Sequence, residues 1–123
     1  MSKKPNILFF HVDNLGMGEL GCYGGGKLRG ADTKRIDAFC KEGTKLTHYV
    51  VEPQCTPTRS ALMTGRYPIR SGNHTIALGG KGGGLVTWEI TIAELLAKGG
   101  YKSSCLGKWH IGAEDGSFPT DHG

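Results

Sequence analysis

Residues 6–12 read NILFFHV, an almost unbroken apolar run. A strand with water on one face alternates apolar and polar side chains, whereas a strand covered on both faces has no such need. The run therefore predicts a buried strand of a mostly parallel sheet. Further along, the spacing predicts a helix over 33–41, with Asp32 or Thr33 as N-cap, Ile36 and Phe39 on one face and Gly43 closing it. Residues 45–51 (KLTHYVV) are β-rich and read as a second strand. Pro57 opens a short helix that Gly65 ends, proline just inside the start and glycine just past the end. Residues 66–86 read as an irregular connection, and 91–98 (TIAELLAK) as an amphipathic helix with Ile92, Leu95 and Leu96 on one stripe and Gly99-Gly100 as terminator. Residues 101–106 are a third strand candidate. Strands and helices alternating in this way predict an α/β layered fold. The tail, 118–123, carries no closing element and reads as cut off in mid-loop.

The bulk properties exclude more than they establish. A chain of 123 residues is one domain or a piece of a larger one. Its net charge of +4 is scattered, with Lys3-Lys4 and Lys34-Arg35 the only adjacent basic pairs, so no nucleic-acid footprint is seen. No apolar run approaches a membrane span, and residues 7–10 are too short for the core of an export signal; no membrane partner and a cytoplasmic location are the expectations. Without a secretory route, the sequon Asn73-His74-Thr75 carries little weight. The four cysteines (Cys22, Cys40, Cys55, Cys105) show neither a CxxC pair nor a zinc-ligand spacing, and Cys22, Cys40 and Cys105 read as reduced packing residues. Glycine is the outlier, with 21 residues clustered at 21–26 and 79–84, as in loops held close to something else. Among the histidines, His11 reads as a core residue of the first strand, His48 lies in the second, and His74 sits in a loop that could face a substrate.

Cys55-Thr56-Pro57-Thr58-Arg59 is the richest segment, continuing as Ser60-Ala61-Leu62-Met63-Thr64-Gly65-Arg66. With Pro57 at the first helical position, Thr56 is the N-cap and Cys55 stands just before it, in the positive end of the helix dipole. Arg59 lies in the first turn and can present a planar, multi-donor head to an oxyanion near Cys55. Taken alone, such a cysteine is more often a half-buried packing residue. The segment CTPTRSALMTGR, however, resembles the sulfatase signature C-x-P-x-R with its -TGR ending. Arginine four residues after the cysteine, with Ala61 at the sixth, excludes a tyrosine-phosphatase loop.

Two further segments are similar to that family, in its order. Asp13-Asn14 follows the first strand directly, where α/β folds put their chemistry, and Gly21-Cys22-Tyr23-Gly24 comes after it. An Asx pair by itself is more often a capped turn. In the family the pair is usually Asp-Asp; here an amide replaces the second carboxylate, still an oxygen donor but one negative charge poorer. Gly107-Lys108-Trp109-His110-Ile111-Gly112 resembles the element G-K-W-H-x-G. In an extended segment Lys108 and His110 fall on one side and Trp109 on the other; the bland alternative is two solvated side chains around a packing tryptophan.

The resemblance runs from residue 5 to the end and implies an alkaline-phosphatase-like α/β fold, of which residues 1–123 are an N-terminal part of the catalytic domain. It also implies hydrolysis of sulfate monoesters. Cys55 would be oxidised by a formylglycine-generating enzyme to an aldehyde, whose hydrate attacks sulfur with one hydroxyl and expels sulfate with the second. Arg59, Lys108 and His110 would fix the anion and the hydrate, while Asp13, Asn14 and the modified Cys55 would hold Ca²⁺ or Mg²⁺, which hard oxygen ligands suit. Family members take a second Asp/Asn pair, a lysine and a histidine from later sequence that these residues lack. A phosphonate or phosphodiester hydrolase of the same superfamily, or a non-catalytic remnant, would carry the same motifs. Gly16-Met17-Gly18-Glu19-Leu20-Gly21 satisfies G-x-G-x-x-G, but Cys22-Tyr23-Gly24-Gly25-Gly26 cannot open the helix a dinucleotide site needs.

Overall fold

A computed structural model describes residues 4–76 and 83–123, and so most of the second glycine cluster, 79–84, lies outside the described residues. The chain divides into two compact units, Met1–Tyr49 and Val50–Gly123.

In the first unit, residues 6–12 join no sheet, and their large side chains are exposed, Leu8 by 79% and Phe10 by 81%. His11 is correspondingly exposed, not buried in a core, and its ring stacks on that of Phe9 at 6.3 Å. A turn at Asp13-Asn14 follows, with Asn14 in the left-handed region at φ 64°. Asparagine tolerates that conformation better than most residues. Short 3₁₀ turns come next at Met17–Glu19, Gly21–Tyr23 and Gly26–Arg29, and no α-helix opens on the G-x-G-x-x-G segment. Here the backbones approach so closely that a Cβ on Gly25 would stand 2.0 Å from the Gly18 carbonyl oxygen.

Helix α1 spans Lys34–Glu42, within a residue of the expected bounds, with Thr33 in the cap position. The Thr33 hydroxyl does not cap its own helix. It accepts from the Gly21 N–H at 2.8 Å and donates to Asp37 at 3.1 Å, while the Cys22 N–H donates to Asp37 Oδ1 at 2.7 Å. Thr33 at the cap and Asp37 on α1 thus hold the glycine-rich turn. The apolar face of the helix is present, but Ile36 and Phe39 on it remain exposed.

In the second unit, α2 spans Cys55–Thr64 and α3 spans Pro68–Ser71, each ended by a left-handed glycine, Gly65 at φ 67° and Gly72 at φ 78°. Helix α3 interrupts what the sequence reading took for irregular connection. Helix α4, Ile92–Lys98, opens on a capping box: Thr91 Oγ1 accepts from the Glu94 N–H at 3.2 Å, and the Thr91 N–H donates to Glu94 Oε2 at 2.8 Å. Leu85 and Ile111 are the buried apolar residues among those described, joined by a hydrogen bond from Leu85 N–H to Ile111 O of 2.8 Å.

Polar groups hold much of the remaining interior. Ser60 and Ser71 share a hydrogen bond of 3.0 Å, linking α2 to α3. Thr91 Oγ1 donates to His122 O at 2.6 Å, and buried Glu89 pairs with Arg66 at 3.1 Å. The guanidinium of Arg66 lies 5.5 Å from the Trp88 ring centroid.

The expected strands at 45–51 and 101–106 share the fate of 6–12: no sheet pairing occurs among the described residues. A strand is stabilised by a neighbour's hydrogen bonds, and an apolar pattern cannot supply one.

Candidate active site

Helix α2 begins two residues earlier than Pro57 predicts. Cys55 is its first residue, Gln54 the cap residue, and Pro57 the third helical position. Proline fits there because the first N–H groups of a helix have no intrahelical acceptor to lose. The correction moves Cys55 from before the helix into its first turn, where the dipole still favours an anion.

The second unit brings Cys55 and Lys108 together, 53 residues apart in sequence: Lys108 Nζ stands 3.2 Å from Cys55 Sγ. Arg59, one turn into α2, donates through Nη1 to the Lys108 carbonyl. Arginine and lysine thus act as a couple, the first fixing the backbone from which the second reaches the sulfur. Cys55 is half-buried and Lys108 exposed.

His110 departs from the extended alternation assumed for it. Its φ is 56°, a left-handed value rare outside glycine, so 108 and 110 are not related as neighbours on one face of a strand. What the structure ties down is the His110 carbonyl, which accepts from Thr56 Oγ1 at 2.8 Å. Trp109 is half-buried, donating from Nε1 to Ser117 O at 2.9 Å and stacking on His122 at 6.3 Å.

Sequence reasoning missed Thr56 and Thr58. The former is buried and anchors the 110 backbone; the latter donates to Glu52 O at 2.7 Å and holds the entry to α2. A hydroxyl on each side of the motif proline was a signal available in the sequence. Asn73 is 2% exposed and donates to Ser71 O, which removes it as a glycosylation acceptor in the folded chain. Cys105 is exposed, contrary to its reading as a packing residue, whereas Cys22 and Cys40 are half-buried; no disulfide occurs among the described residues.

Asp13 and Asn14 lie in the first unit, both exposed. Their donor set is one carboxylate and one amide oxygen, the right kind for a hard divalent cation. No group of three or more His, Cys, Asp or Glu among the described residues could hold a metal ion. The pair fits part of such a site in chemistry and falls short in number.

The comparison with known proteins decides the family: residues 5–121 match the family model described as Sulfatase. The chain belongs to the sulfatase family. It is 45% identical to human steryl-sulfatase over 118 residues, which are 90% of this chain and 20% of that protein. Against human arylsulfatase A the identity is 39% over 125 residues, 99% of this chain and 24% of that one. Its backbone is similar to the PsFucS1 sulfatase from Pseudoalteromonas sp., with a TM-score of 0.80 and 44% identity, covering 91% of this chain and 23% of that chain. This sulfatase chain therefore spans about a fifth to a quarter of the length of the relatives it matches. Among its described residues no helix is long and apolar enough to cross a membrane.

Proposed function

We propose that the protein hydrolyses sulfate monoesters and that Cys55, Arg59, Lys108 and His110 carry the catalytic part of that activity. The observation that supports this most is the approach of Lys108 Nζ to Cys55 Sγ, with Arg59 bracing the lysine's own carbonyl. In a sulfatase the Cys55 thiol stands where formylglycine would be, and that aldehyde, once hydrated, supplies one hydroxyl to attack sulfur and another to release sulfate. Lys108 neutralises an anionic oxygen at this position and holds it by a charge-assisted hydrogen bond. Arg59 orients Lys108 and adds positive charge beside the first turn of α2, whose N–H groups favour the same anion. Thr56 fixes the His110 backbone, and the imidazole orients the hydrate by hydrogen bonding.

Asp13 and Asn14 contribute oxygen donors for Ca²⁺ or Mg²⁺, completed by ligands from the greater length found in the relatives. The same length supplies the pairing partners that make strands of 6–12, 45–51 and 101–106 in a mostly parallel, alkaline-phosphatase-like sheet. A formylglycine-generating enzyme is the partner that maturation of Cys55 requires.

The test is turnover by the full-length protein of an aryl sulfate beside the matching aryl phosphonate. Preferential sulfate hydrolysis, abolished by Cys55→Ala, is the expected result. Preference for the phosphonate would move the protein to a neighbouring activity of the superfamily, and no turnover of either after maturation would leave it a non-catalytic relative.

A further inference from the structure

We propose that Cys22 and Cys40 are a modification site: a dithiol that closes reversibly to a disulfide and ties the glycine-rich turn to α1. The sulfatase chemistry at Cys55 has no part in this.

Cys22 lies in the turn Gly21–Tyr23 and Cys40 in the second half of α1, both half-buried. With Gly21, Asp37, Lys41 and Lys45 they line one groove of about 500 Å³. The backbone of Cys22 is held against α1 from two sides. Its own N–H donates to Asp37 Oδ1 at 2.7 Å, and the neighbouring Gly21 N–H donates to Thr33 Oγ1 at 2.8 Å. Asp37 and Cys40 are three residues apart, hence neighbours on one helix face, so the brace on Asp37 delivers Cys22 to Cys40.

Opposite the helix, Lys45 Nζ donates to Cys22 O at 3.1 Å and lies 5.4 Å from the Tyr23 ring centroid, so the turn is held on that side too. The two cysteines face the same groove, with Cys40 beside the Asp37 carboxylate that holds the Cys22 backbone, and a disulfide between them closes at a bond length of about 2.05 Å. Burial pushes the Cys22 thiol up, and Cys40 and the Asp37 carboxylate push it further. A thiol kept protonated is a slow nucleophile, so Cys22 reacts slowly with an oxidant.

That oxidant is a low-molecular-weight disulfide such as oxidised glutathione. One cysteine thiolate attacks it, breaking the oxidant's S–S bond to give a mixed disulfide and one released thiol. The second thiolate attacks the mixed disulfide at the protein sulfur and releases the other thiol. Two S–H bonds are lost, one protein S–S bond forms, and the two electrons leave as the two small thiols.

The test uses the full-length protein, incubated with oxidised glutathione, quenched in acid, alkylated and digested with trypsin without reduction. Lys27, Arg29, Lys34 and Arg35 lie between the two cysteines, so trypsin separates them unless they are bonded. The expected product is the Cys22 peptide linked to the Cys40 peptide, two hydrogens lighter than their sum. In Cys40→Ser, Cys22 should instead stop at the glutathione adduct. The same treatment in denaturant should give mixed pairings that include Cys105, showing that native selectivity comes from the fold. Native protein yielding only glutathione adducts, or linking Cys22 to Cys105, would overturn the proposal.

Discussion

At the scale of single residues, the site rests on a division of labour between two cations. Lys108 approaches Cys55 through its ammonium group, while Arg59 spends a guanidinium N–H on the Lys108 backbone. Arg59→Lys keeps the charge but loses the planar fork. In the full-length enzyme it should lower kcat by about 10²-fold, and Lys108→Ala by about as much or more, in steady-state assays with an aryl sulfate. Similar kcat values in wild type and both variants would remove the pair from the chemistry. A third residue is open to direct measurement. Asn14→Asp restores a carboxylate beside Asp13 and should tighten Ca²⁺ binding to the full-length protein, while Asn14→Leu should weaken it; calorimetry giving one affinity for all three would make Asn14 only a turn former. The three motifs were legible in the sequence as a family resemblance, which the match over residues 5–121 bears out. The left-handed backbone of His110 and the anchoring role of Thr56 were not: the first departs from the usual conformation of a non-glycine residue, and the second is a contact over 54 residues of sequence.

At the scale of elements, helices were legible where a stop signal was written beside them. Gly65 takes φ 67° at the end of α2 and donates its N–H to Ala61 O at 2.8 Å. No atom lies within 4 Å of a Cβ built there, so Gly65→Ala meets a backbone cost and no clash. It should destabilise the full-length protein by about 1 kcal/mol, read by chemical denaturation; an unchanged midpoint would show that α2 can end otherwise. Thr91→Ala removes the hydroxyl that accepts from Glu94 and donates to His122, for a loss of about 1–2 kcal/mol. Helix starts were read less well: Pro57 pointed two residues too far along because proline is tolerated throughout the first turn, not at its first position alone. The strands failed for a different reason. Pattern reports that a segment can pair, and pairing needs a second segment at the right distance.

For the whole molecule, the balance of buried and exposed apolar surface governs behaviour. Leu85 and Ile111 are the buried apolar side chains among the described residues, while Ile7, Leu8, Phe9, Phe10, Ile36, Phe39 and Leu106 lie exposed. Exposed apolar surface of that kind in a chain spanning 20% to 24% of its relatives asks for cover. The 123 residues made alone should melt without a sharp transition and elute as associated species in size exclusion; a monodisperse monomer with a cooperative melt would show an independent domain. The chemistry nonetheless turns on one side chain, and one mass decides it. Trypsin releases residues 46–59 as the peptide carrying Cys55. From full-length protein produced with a formylglycine-generating enzyme, that peptide should be lighter by the exchange of CH₂–SH for an aldehyde and should react with a hydroxylamine probe. An intact, alkylatable thiol at Cys55 in protein that hydrolyses an aryl sulfate at full rate would exclude formylglycine as the nucleophile.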